Sequence, residues 1–117
     1  MTDERTNEQI SAEIAERLFG LVQCDIAPRG FHPADRAYPC VDWDYVSFDG
    51  ALGLVVPEMR RRGYEFASMD RNGEFRCSFY QPKSNIPDVV IGVPFGEEPR
   101  AICLAALLAL DAERKAE

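Results

Sequence analysis

Apolar and polar positions along this chain follow two periods. Ile10, Ile14 and Leu18 recur every four residues, with Ala15 and Phe19 beside them, while Glu8, Glu13, Glu16 and Arg17 fall on the opposite side. That stripe predicts a helix over residues 7–19. Thr6 and Gln9 fit a capping box, in which each side chain satisfies a free backbone donor of the other residue. Gly20 is a fitting stop. A second helix is predicted over residues 50–62, with Asp49 as its cap and Leu52, Val55, Val56 and Met59 as its apolar face. Arg60, Arg61, Arg62 and Gly63 give it a cationic end and a glycine stop. Pro57 lies inside this segment and removes a backbone donor, so a kink or a restart of the helix is expected there.

Between residues 64 and 93 the period changes to two. Tyr64–Met69 reads as a strand, and Asn72-Gly73 is a strong hairpin signal because both residues tolerate positive φ. The return strand, Glu74–Tyr80, places Phe75, Cys77 and Phe79 on one face. Asp88–Val93 is a third strand, apolar enough to be well covered. Residues 21–26 suit a short strand or an extended link. Residues 27–46 hold Pro28, Gly30, Pro33 and Pro39 and read as one long irregular loop, a kind of segment that is often functional. The last element is the clearest. Glu97, Glu98 and Pro99 suit a helix start, and Ala101–Ala112 is almost unbroken apolar sequence. Apolar residues nearly all round predict a helix buried on most of its surface.

Composition narrows the function classes. The chain has 117 residues, suited to one domain over residues 1–117, with 46% hydrophobic and 28% charged residues. Its net charge is −7, with a sequence pI near 4.7. This balance disfavours direct nucleic-acid binding, which relies on a basic surface. No run is long enough for a membrane helix, and Met1–Arg5 is polar and acidic, unlike a signal peptide. The four cysteines, Cys24, Cys40, Cys77 and Cys103, form no CxxC pair. Reduced thiols in a cytoplasm are the expectation.

Several constellations carry candidate chemistry. Asp42, Trp43, Asp44 and Tyr45, with Asp49 nearby, form an acidic-aromatic cluster. Aromatic anchors between carboxylates suit a protein interface, and the negative charge suits a basic partner groove. The competing reading is a solvated loop with Trp43 folded onto the core. Arg60, Arg61 and Arg62 are a candidate anion site, or they simply complement the helix dipole. Cys24, His32 and Cys40, with Asp25 or Asp35, supply zinc-type donors, but their spacing matches no familiar zinc module. Ordinary buried cysteines are the favoured reading, so no metal and no cofactor is assigned. A Cys–His nucleophile pair has no accompanying oxyanion-hole motif, and phosphate-loop and dinucleotide fingerprints are missing. No catalytic residue is assigned, and the chain is read as a non-enzyme. Helix, three strands and helix is also the order of a double-stranded RNA-binding domain. The last helix of that domain starts on basic residues, whereas this one starts on Gly96-Glu97-Glu98-Pro99.

The segment DGALGLVVPEMRRRGYEF, from Asp49 to Phe66, resembles the helix-then-GYxF segment of the phage ABA sandwich domain family. EEPRAICLAALLAL resembles that family's closing helix and AEIAERLFG its opening helix. Pro57 and Leu21 depart from the family's pattern. The resemblance implies a small bacteriophage or prophage protein with helices on both faces of a small antiparallel sheet. The expected fold is therefore α+β: a three-layer α/β/α sandwich with three or four strands and about three helices. The family carries no settled activity, so no site is transferred from it. The expected function is non-enzymatic: an accessory protein in the host cytoplasm that binds a host protein, such as a nuclease or defence complex, in the manner of an anti-CRISPR inhibitor. The alternatives are binding of a nucleotide signal or a homo-oligomeric structural role, with sheet edges available for a homodimer.

Overall fold

The structure is a computed structural model that describes residues 5–23, 30–33, 41–42, 44–82 and 89–116. The first helix, α1, spans Asn7–Arg17. Its capping box is complete: Gln9 N–H donates to Thr6 Oγ1 at 3.1 Å and Thr6 N–H to Gln9 Oε1 at 2.8 Å. Ile10, Ile14, Ala15 and Leu18 are buried, so the four-residue stripe is the core face.

The next part of the chain departs from the expected long loop. Leu21–Gln23, Gly30–Pro33 and Val41–Asp42 are strands β1, β2 and β3, paired antiparallel in that order. The strands are short and lack alternation, and Pro33 closes β2. Pro33 at the end of β2 and the shortness of the strands hid a sheet that the periodicity could not reveal.

A helical stretch follows in three pieces: α2, Phe48–Gly50; a π turn, Ala51–Val55; and α3, Val56–Arg61. The expected restart at Pro57 is present. Val56 N–H reaches back five residues to Ala51 O, and Pro57 sits in the first turn of α3, where it needs no donor. The cap is Ser47, not Asp49. Ser47 Oγ accepts from Gly50 N–H at 3.0 Å, and Asp49 lies within the first turn. The far end is a Schellman closure. Tyr64 N–H bonds Met59 O and Gly63 N–H bonds Arg60 O, both at 3.0 Å, with Gly63 at φ +98°.

Glu65–Arg71, Glu74–Tyr80 and Val89–Pro94 are β4, β5 and β6 of a second antiparallel sheet, ordered β4-β5-β6. Asn72 (φ 54°) and Gly73 (φ 78°) make the predicted turn, with Arg71 opposite Glu74. Phe75, Cys77 and Phe79 are buried on one face. Helix α4, Glu98–Ala116, packs on β5 and β6 with one side and on α1 and the π turn with the other. Ala101 to Leu107 and Ala109 are all buried, as a helix apolar on nearly all sides requires.

The fold is thus a small α+β sandwich, in which β4-β5-β6 is the antiparallel sheet that packs on α4 and β1-β2-β3 is a second, smaller one. Among the described residues, α4 covers one face of β4-β5-β6, and α1 and the π turn lie beyond α4. On the other face Ala67, Met69, Arg76 and Val90 are exposed, so β6 is covered on one side only. No helix among the described residues is long and apolar enough to cross a membrane.

Candidate functional site

The acidic-aromatic cluster divides into residues with different roles. Asp42 ends β3, and Trp43 lies outside the described residues. Tyr45 is a core residue instead of a surface anchor. It is 5% exposed, and its ring stacks on Phe19 with centroids 5.0 Å apart. Burial raises its phenol pKa. Both polar groups of its peptide are held by buried side chains. Tyr45 N–H donates to Ser11 Oγ at 2.9 Å, and Cys103 Sγ donates to Tyr45 O at 3.2 Å. This turn is therefore fixed to α1 and α4 at once.

The segment after it is locked just as closely. Asp44 Oδ1 accepts from Val46 N–H at 2.9 Å, and Ser47 Oγ donates to Asp44 O at 2.8 Å. Gly50 lies against this turn. A Cβ at position 50 would stand 2.5 Å from Asp44 O and 2.7 Å from Tyr45 Cα, so the approach requires glycine. Val55, Val56 and Met59 point into the core.

What this anchored segment leaves outside is apolar. Phe48 is 57% exposed, Leu52 50% and Leu54 37%, and Asp44 and Asp49 are also exposed. Leu52 was expected on the buried face. The π turn holds more residues per turn than an α-helix, so it shifts the stripe and leaves Leu52 outside. Phe48 and Leu54 were not singled out in the sequence. An apolar residue straight after a serine cap, and leucines flanking Gly53, are the signals that could have found them.

Two of the three arginines meet a carboxylate of the chain's own helix, Glu58. Arg62 donates to Leu18 O at 2.7 Å, tying α3 to the end of α1, and contacts Glu58 Oε2 at 3.2 Å. Arg61 pairs with Glu58, while Arg60 is exposed. The hydrogen bond from Arg61 holds the Glu58 carboxyl below the usual carboxylate range, with a further contribution from Arg62. This is a helix end whose positive charge is partly neutralised in place.

Of the zinc-type donors, Cys24 and Cys40 lie outside the described residues, as do Asp25 and Asp35, and His32 falls in β2. Among the described residues no group of three His, Cys, Asp or Glu side chains could hold a metal ion. Cys77 and Cys103 are buried free thiols, each pushed up to about 12 chiefly by desolvation. Thiols so protonated are poor nucleophiles at neutral pH. Tyr64 is also internal, with its hydroxyl 2.7 Å from Glu113 Oε2.

No protein-family model, no curated protein and no solved structure matches this chain.

Proposed function

We propose that this chain acts without catalysis, by binding another protein through the surface of residues 44–54. The observation that carries the reading is the exposure of Phe48, Leu52 and Leu54 on a segment whose backbone is anchored to α1 and α4. Exposed aromatic and aliphatic side chains on a rigid base supply binding energy at little cost in ordering. Asp44 and Asp49 flank them, and the chain carries a net charge of −7. A basic partner with an apolar groove is the complementary surface. A nuclease or other nucleic-acid-handling complex has such a surface. The similarity to phage ABA sandwich domains supports a bacteriophage or prophage origin. On that basis the chain works in the host cytoplasm, and its partner is a host protein, with a defence complex inhibited in the manner of an anti-CRISPR protein.

The test is affinity capture from bacterial lysate with the wild type and a Phe48→Ser/Leu52→Ser variant side by side. The expected result is one dominant basic partner, retained by the wild type and lost by the folded variant. Equal retention by both would remove residues 44–54 as the interface. A thermal-shift panel of nucleotides addresses the ligand-binding alternative. Saturation at 100-fold excess over Kd would add about 2.7 kcal/mol of stability, and no such shift is expected here.

A further inference from the structure

We infer that the outer edge of β4 is a self-complementary strand that pairs with β4 of a second copy of this chain, joining two sheets into one antiparallel sheet across a two-fold axis at Ser68. In the order β4-β5-β6, strand β4 has one neighbour among the described residues. Its length is seven residues, with no proline or glycine, and its pairing with β5 is regular throughout. Ala67, Ser68, Met69 and Asp70 are exposed, with Met69 56% accessible. Long, regular, exposed edges are the ones that recruit another strand.

The hairpin fixes which backbone groups face outward. Arg71 and Glu74 close a two-residue turn, so they exchange hydrogen bonds, and alternation places residues 65, 67 and 69 toward β5 as well. The N–H and C=O groups of Phe66, Ser68 and Asp70 therefore face away from the sheet. An antiparallel copy centred on Ser68 sets Ser68 opposite Ser68, Phe66 opposite Asp70, Ala67 opposite Met69 and Glu65 opposite Arg71. The outward groups of residues 66, 68 and 70 then become hydrogen-bonded pairs, as this ladder requires. All seven residues are used, and the two-fold operator sets position 65, a glutamate, in register with position 71, an arginine, twice. A register centred on Asp70 would instead face carboxylate with carboxylate. The other edge is poorer. In β6 the outward positions are Val90, Gly92 and Pro94, and Pro94 has no N–H to give. This pairing does not depend on the surface of residues 44–54.

Sedimentation equilibrium of the full chain over a concentration series tests the inference, with three variants alongside. Ser68→Pro removes an outward donor that the monomer does not use, so it should give a folded monomer at every concentration. Glu65→Arg sets arginine against Arg71 of the second copy and should weaken the dimer roughly tenfold. Glu65→Arg/Arg71→Glu reverses both signs and should restore the wild-type constant. A wild type that stays monomeric throughout overturns the inference. So does a dimer that survives Ser68→Pro, or a double reversal that fails to rescue.

Discussion

Helix α4 and the helical stretch at residues 48–55 are both rich in apolar residues, yet they do opposite things. In α4 the apolar residues run round the helix, and sheet, α1 and π turn take up every side, leaving Ile102 and Leu107 almost inaccessible. In the second stretch Val55 faces the core while Phe48, Leu52 and Leu54 face out. The difference is not hydrophobicity. It lies in how many sides the neighbours cover and in a π turn that shifts the stripe ahead of Pro57. Apolar sequence specifies a core only where the packing closes around it, and what is left over is available for a partner.

The largest expected effect comes from breaking the enclosed region. Leu107→Ala should cost about 2–5 kcal/mol, read from urea unfolding, because neighbours on all sides cannot collapse into the space. Gly50→Ala comes next, at about 1–3 kcal/mol, since the new methyl meets the backbone of Asp44 and Tyr45. A loss close to zero there would mean that the turn and α2 are not seated against each other.

Cys77 and Cys103 give the enclosed region a pH signature. Their thiols are raised from an ordinary 9.0 to about 12, so the folded chain holds its protons where the unfolded chain releases them. The stabilisation is complete below pH 9 and is lost as pH rises toward 12, at about 1 kcal/mol per thiol by pH 10. Unfolding curves at pH 8 and pH 10 should diverge, and Cys77→Ala/Cys103→Ala should remove that part of the divergence. The smallest effect belongs to the outward-facing region. Leu52→Ala should change stability by less than about 0.5 kcal/mol by the same measurement.

Much of this fold was legible in the sequence. The Thr6–Gln9 box, the Asn72-Gly73 turn, the alternation of Phe75, Cys77 and Phe79 and the apolar run of α4 each carry a local signal strong enough to place an element. Strand β1 falls where a short strand or an extended link was expected, but β2 and β3 were not legible, because such short segments have too few positions to show a period. The candidate site was legible in part. Asp44 and Asp49 are exposed, as a binding cluster needs. Tyr45 was misplaced because only tertiary contacts, to Phe19, Ser11 and Cys103, draw it inward. Phe48 and Leu54 escaped notice because an apolar side chain in a helix is ordinarily taken as core. Trp43 lies outside the described residues.

The central claim is that Phe48, Leu52 and Leu54 form a binding surface that the fold itself does not need. The direct measurement is a titration of the captured partner against the wild type and Phe48→Ser/Leu52→Ser, with urea unfolding of both proteins in parallel. The account predicts that binding falls at least about tenfold, equivalent to 1.4 kcal/mol, while the unfolding midpoint hardly moves. Binding unchanged in the variant, or lost only together with a large fall in stability, would contradict it.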